Sequence, residues 1–360
     1  MKICILGDTH FGVRNDSLIF HKHYEKFYNE VFFPYLEENG IEKIIQLGDL
    51  FDRRKYVNFA SLYHSRKYFF DRANRDFHTW ALVGNHDTYH KNTNDINSPE
   101  LLLKDYKDIR VVNEPTLLEF DDCKMLLVPW MCDDNEEEIR EAIRSTDANI
   151  ILGHFELNGF EMYRGTVCDE GMDSSVFAGR RVLSGHFHHM SQVGNITYVG
   201  TPYQMTWSDY GDAKGFHILD TDTGELTFVE NPVNIFQKLH YDDTEFSSVT
   251  DISDINFDHL AGSYVKLIVR NKENPIWFDV FVDRLEKAGV ADLQVVEDHF
   301  HLDLEDDDDI VNQAEDTLTI LNKYVDTLEW NHQTNDRSRL VNLVQALYHE
   351  ALTTEWYDSF

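Results

Sequence analysis

Short apolar runs rich in Ile, Val and Leu recur through the amino-terminal half of the chain. Six of them end alike, at a Gly followed at once by polar residues. They are 2–10 (KICILGDTH), 43–49 (KIIQLGD), 81–87 (ALVGNHD), 149–154 (NIILGH), 181–188 (RVLSGHFH) and 196–203 (ITYVGTPY). Each run has the length and β-branched content of a buried strand. Between them, 18–38 and 60–73 carry apolar residues at helical spacing, and 215–219 and 226–230 read as strands joined by the turn TDTG at 221–224. An α/β fold is expected, with two sheets packed face to face and flanked by helices over residues 1–232. Further on, 264–269, 277–288 and 291–297 predict a small α+β domain over 237–303. An acidic linker follows at 304–309. Beyond it Ile310, Ala314, Leu318, Leu321, Val325 and Leu328 recur at helical spacing, as do Leu340, Leu343, Leu347 and Ala351, which predicts a helix-loop-helix over 310–352.

In an open α/β sheet, residues just past the carboxyl ends of the strands gather at one rim, where ligands bind. Asp8, His10, Asp49, Asn85, His86, His154, His186 and His188 are therefore expected to converge. A mixture of carboxylate, amide and imidazole without Cys suits Mn²⁺, Fe or Zn²⁺ in a catalytic rather than a structural site. One ion needs three or four protein ligands, and seven candidates remain once His86 is set aside. Two ions sharing one carboxylate use that number and form a clamp for in-line phosphoryl displacement. Asp49, in the middle of the set, is the expected bridge. Asp8, His10, Asp49 and His188 are assigned to one ion, and Asp49, Asn85, His154 and His186 to the other. His86, directly after Asn85, would face the substrate and protonate a leaving oxygen.

Charge complicates the choice of substrate. The chain carries a formal net charge of −33, with −18 of it from residue 233 onward and −15 before. Such a surface repels a polyanion and is commonly a solubility adaptation. Against it, residues 53–75 hold Arg53, Arg54, Lys55, Arg66, Lys67, Arg72 and Arg75 opposed only by Asp71. Either this is a solvated helix face, or it contacts a phosphate backbone beside Asp49. Four cysteines (Cys4, Cys123, Cys132, Cys168) form no paired framework, which fits a reducing compartment such as the cytoplasm. No apolar run approaches the length of a membrane span, and the first strand begins where a signal peptide would lie.

The blocks D-x-H, G-D, G-N-H, G-H and G-H-x-H resemble the calcineurin-like metallophosphoesterase superfamily. The stretches after the first block (Phe11 and Gly12), at 48–52 (GDLFD), 84–87 (GNHD) and 200–204 (GTPYQ) resemble its DNA-repair nuclease branch, the SbcD type. The stretches at 128–132 (VPWMC) and 156–160 (ELNGF) are similar to the branch's members in T-even-like phages. The resemblance implies an enzyme, a nuclease with two Mn²⁺ (Mg²⁺, Fe or Zn²⁺ being other occupants). Exonuclease activity on duplex DNA ends and endonuclease activity on single strands or hairpins would follow. It also implies a cap over 237–303, a hydrogen bond that the Asp52 carboxylate accepts from His86, a homodimer, and docking of 310–352 on an SbcC-type, SMC-like ABC ATPase. For a phage-encoded chain the compartment would be the host cytoplasm. Two rivals remain. A phosphoprotein phosphatase or cyclic-nucleotide phosphodiesterase would share the ligands, but Arg54 and Asp87 stand where those phosphatases have Gly and Glu. A non-catalytic DNA-end scaffold would not need all eight polar positions intact.

Overall fold

The computed structural model describes residues 1–120, 123–163, 166–169 and 171–297. The acidic linker and the helix-loop-helix expected over 304–352 lie outside them. In chain order the strands are β1 (Lys2–Leu6), β2 (Lys43–Gln46), β3 (His78–Leu82), β4 (Ile109–Val112), β5 (Thr116–Phe120) and β6 (Cys123–Val128). There follow β7 (Ile150–His154), β8 (Glu161–Tyr163), β9 (Thr166–Val167), β10 (Arg181–Gly185), β11 (Ser191–Val193) and β12 (Ile196–Tyr198). The last are β13 (Gly215–Asp220), β14 (Leu226–Glu230), β15 (Phe236–Asp242), β16 (Tyr264–Asn271) and β17 (Asp292–Glu297).

Two six-stranded sheets carry the fold, in the orders β14–β13–β1–β2–β3–β4 and β11–β12–β10–β7–β6–β5. The centre of each is parallel; antiparallel strands close one flank of the first sheet (β13 and β14), whose other edge, β4, is parallel, and both flanks of the second (β11 and β5). The parallel strands are mostly apolar because both faces are covered, with Gln46, Thr79 and Ser184 among the buried polar exceptions. Ile3 and Ile5 of β1 join Ile45, Leu82, Leu127, Ile150, Leu152 and Leu183 in the layer between the sheets. Cys4 and Leu6, on the other face, pack beneath helices Leu18–Phe27 and Phe33–Glu38. Ile151 and Val182 of the second sheet pack beneath helix Glu136–Ser145 through Ile139 and Ile143. The result is a four-layer sandwich in which every central strand ends at the same rim.

Aromatic side chains fix that rim from below. Phe11, the residue after His10, lies 5.4 Å from the ring of Phe70, 5.6 Å from Phe69 and 5.7 Å from Tyr68. Those three belong to a π-helical turn (Arg66–Phe70) between helices Phe59–Ser65 and Asp71–Asp76. Removing a buried Phe of this kind costs about 3–5 kcal/mol, so the core holds the first ligand loop in place. Strands β15, β16 and β17 form a separate parallel sheet, crossed by helix Pro275–Lys287 and enclosing its own apolar cluster. This sheet meets the sandwich where Phe236 lies 4.7 Å from Trp207 and Phe20 lies 5.6 Å from Tyr264. Among the described residues no helix is long and apolar enough to cross a membrane.

Candidate metal centre

The seven expected ligands come together at the carboxyl rim, in two groups that share Asp49. In the first, His10 Nε2 and His188 Nε2 are 3.0 Å apart. Asp8 Oδ2 lies 4.0 Å and 3.9 Å from these two nitrogens. In the second, Asn85 Oδ1 is 2.8 Å from His154 Nε2 and 2.9 Å from His186 Nδ1. The Oδ2 atom of Asp49 stands between them, 3.6 Å from His10 Nε2 and 3.4 Å from His154 Nε2. Two ligands at about 2.1 Å from one ion, set at right angles, lie about 3 Å apart. The spacing, the nitrogen and oxygen donors and the shared carboxylate all fit a pair of cations.

The backbone holds each ligand by the next. The N–H of His186 donates to both oxygens of Asp8, at 3.1 Å and 3.0 Å. That of His86 donates to Asp49 Oδ1 at 2.7 Å, leaving Oδ2 for the shared position. His154 Nδ1–H donates to the carbonyl of Leu47 at 2.8 Å, which directs Nε2 into the site, the usual way a ligand imidazole is oriented. His10, Asp49 and His186 adopt positive φ (41°, 54° and 84°), a backbone that non-glycine residues rarely take and that clusters at functional sites. The preceding glycines serve close approach: a Cβ on Gly84 would lie 2.3 Å from Asp49 Oδ1, and one on Gly185 2.5 Å from Asp8 Oδ1. A family model described as calcineurin-like phosphoesterase matches residues 1–190, the span holding every one of these ligands.

The chain belongs to the calcineurin-like phosphoesterase family. This phosphoesterase is 33% identical over 355 residues to Exonuclease subunit 1 of Enterobacteria phage T4, covering 98% of this chain and 99% of the relative. It is 30% identical over 106 residues to the SbcD component of the nuclease SbcCD of Staphylococcus epidermidis, covering 26% of this chain and 28% of that one. The fold of the family implies a dimetal site.

Electrostatics at the centre of the phosphoesterase follow from burial and crowding. Burial pushes the carboxyl of Asp8 up to about 8; His154 opposes this and Asp49 adds to it. Burial also acts to raise Asp49, but the nearby His154, His86 and His10 outweigh it and hold the carboxyl well below its usual range. Burial lowers His10 and His186 and brings His188 down to about 4, so these imidazoles are in the neutral form that binds metal. His154 goes the other way: burial lowers it, yet Asp49 and Asp8 raise it to about 9. A divalent ion there would replace that proton as the counter-charge of Asp49.

The other expected site residues are placed less simply. His86 Nδ1–H donates to the main-chain carbonyl of Asp52 at 2.6 Å, not to its carboxylate. The carboxylate turns toward His10 instead, with Oδ1 3.6 Å from Nδ1. The Arg53 guanidinium donates to Asn15 Oδ1 and the Tyr56 hydroxyl and sits 3.5 Å from Asp16. Arg66 donates to the carbonyl of Leu102 at 3.2 Å, and Lys67 pairs with Glu25 at 2.8 Å. Arg72 and Arg75 pair with Glu37 and Asp76. Arg54 and Lys55 differ: neither has an ion pair among the described residues, and Lys55 is exposed.

In the sequence Asp87 stood out only as a departure from the phosphatases, with no role in the site, and it is fully buried. Its Oδ2 accepts from the N–H groups of Gly84 (2.9 Å) and Leu50 (3.2 Å), and its Oδ1 from that of Phe51 (3.2 Å). It thus stitches the Asp49 loop to the Asn85 loop. Trp130 was also missed; its ring lies 5.2 Å from His186 and 5.9 Å from His154, walling the second group. A charged residue directly after Asn85 and His86 was a usable signal for Asp87. Trp130 lies in the stretch 128–132 (VPWMC) that carried part of the family resemblance, but nothing in that stretch pointed its ring at the ligands.

Proposed function

We propose that this chain is a metal-dependent DNA nuclease, hydrolysing phosphodiesters with two Mn²⁺ bound at the rim. The observation that carries the reading is the single oxygen, Asp49 Oδ2, set between two donor groups. The near full-length relative named an exonuclease subunit supports a nucleic acid as substrate. Exonuclease action on duplex ends and endonuclease action on single strands or hairpins are the activities proposed. Bound ions supply positive charge to the scissile phosphate and lower the pKa of a nucleophilic water.

The residues around them position and protonate. Asp8, His10 and His188 would hold one ion, and Asn85, His154 and His186 the other, with Asp49 common to both. His86 has its Nδ1–H committed to the carbonyl of Asp52, so Nε2 is the atom that faces substrate. As the oxygen of a water that has given up one proton to solvent bonds to phosphorus, the bond to the departing 3′ oxygen breaks. His86, in its imidazolium form, delivers its Nε2 proton to that 3′ oxygen, leaving the neutral ring. Asp52 acts on His10 and on His86 through different atoms. Arg54 and Lys55, unpaired beside Asp52 in sequence, are the proposed backbone-phosphate contacts.

The relative's name as one subunit supports a complex. In it residues 310–352 would bind an SMC-like ATPase. Phe59 and Tyr63, one helical turn apart and 89% and 65% exposed, support a second copy of this chain as a further partner. The test of the reading is cleavage of labelled duplex, single-stranded and hairpin DNA with Mn²⁺, Mg²⁺ or EDTA, beside a phosphopeptide. Faster turnover of the phosphopeptide than of any DNA would turn the assignment to a phosphatase.

A further inference from the structure

Lys214, just ahead of β13, is 3% exposed, and no step above uses it. A buried ammonium is costly unless it is paired and hydrogen-bonded. Here its Nζ lies 2.6 Å from Asp209 Oδ1 and donates to the main-chain carbonyl of His188 at 2.9 Å. Asp209 is itself buried, its Oδ2 accepting from the N–H groups of Met205 (2.8 Å) and Thr206 (2.9 Å). The carbonyl of Asp209 accepts from Gln204 Nε2 at 3.2 Å, and Gln204 Oε1 accepts from the N–H groups of Ile235 and Phe236 at the start of β15. A chain of polar contacts thus runs from the third sheet to the peptide that bears His188.

The two metal positions depend on this tether unequally. His154 is the last residue of β7, and His186 directly follows β10 with its N–H on Asp8. His188 lies farther out, in the irregular stretch between β10 and β11. Its carbonyl is held only by Lys214 and, at 3.2 Å, by the N–H of Thr201, among the described residues. We propose that Lys214, clamped by Asp209, is a positioning residue that sets the affinity of one metal position, the one formed by Asp8, His10 and His188, and leaves the other alone. The proposal rests on the dimetal reading above.

The test is Mn²⁺ binding to the full chain by equilibrium dialysis, with the electron paramagnetic resonance signature of coupled Mn²⁺ as a second readout. The parent should bind two ions and show the coupled signal; a parent that binds none overturns the dimetal reading itself. Lys214→Met should keep one ion at parental affinity and weaken the other by about 10–100-fold, the range for outer partners of metal ligands, with the coupled signal replaced by that of an isolated ion. Lys214→Arg should restore the second ion. Because Lys214→Met strands a buried carboxylate, Lys214→Met/Asp209→Asn is measured beside it and should show the same one-site deficit. Two ions at parental affinity in the double variant, or equal weakening of both, overturns the proposal.

Discussion

Replacing His86 with Ser separates proton delivery from metal binding, because the residue touches the centre through two different groups. Its main-chain N–H, 2.7 Å from Asp49 Oδ1, survives the substitution. The side chain contributes one hydrogen bond to the Asp52 carbonyl and an edge contact at 4.8 Å with the ring of His10. Metal content should therefore stay at the parental value. Removing a general acid lowers the rate by roughly 10²–10⁴, or about 2.7–5.4 kcal/mol of barrier. That loss should depend on the leaving group. With a 4-nitrophenyl phosphodiester, whose leaving oxygen needs no proton, the deficit should shrink to about tenfold or less. The assay is kcat on a DNA oligonucleotide and on the nitrophenyl ester for both proteins, each with bound metal quantified. Purification of the variant without metal would make His86 a ligand. An equal fall on both substrates would refute proton delivery to the leaving oxygen.

Asp87→Asn keeps the shape of the side chain but turns an acceptor into a donor. It leaves at least one of the Gly84, Leu50 and Phe51 N–H groups unpaired at about 1–3 kcal/mol. Calorimetry should show a midpoint lower by roughly 2–5 °C, and an unchanged midpoint would remove Asp87 as the stitch between loops. Reversing Arg54 and Lys55 to Glu should flatten the dependence of DNA affinity on salt by about two counterions. Lys67→Glu, already neutralised by Glu25, should leave that slope unchanged; the opposite ranking would move the contact to the helix face. Truncation after Asp309 should spare cleavage of short DNA and abolish binding to the ATPase, measured by co-purification, whereas full-yield co-purification would exclude residues 310–352 as the docking segment.

The strands and the ligand set were legible because both rest on local pattern. A parallel strand buried on two faces must be a continuous apolar run, and a ligand packed against the strand end leaves room only for Gly, as at Gly84 and Gly185. What lay hidden depends on contacts far apart in sequence. The cluster at 53–75 looked like a free basic face, but Glu25 and Glu37, on the two earlier helices Leu18–Phe27 and Phe33–Glu38, pair with Lys67 and Arg72. The Asp52 carboxylate was expected on His86 and lies 3.6 Å from His10 Nδ1 instead, while the Asp52 carbonyl takes the His86 ring, a division between side chain and main chain that residue identity does not encode. Lys214 follows His188 by twenty-six residues and resembles any surface lysine until β13 folds back beside β1.

The central claim is that two ions share Asp49 and that phosphodiester hydrolysis requires both. Titrating metal-stripped protein with Mn²⁺ while recording both bound ions per chain and DNA cleavage tests it directly. The account predicts no cleavage in the stripped protein, full activity only as the second ion binds, and loss of both ions in Asp49→Asn, whose neutral amide binds a hard cation poorly. Full activity at one ion per chain, or two ions retained by Asp49→Asn, would contradict it.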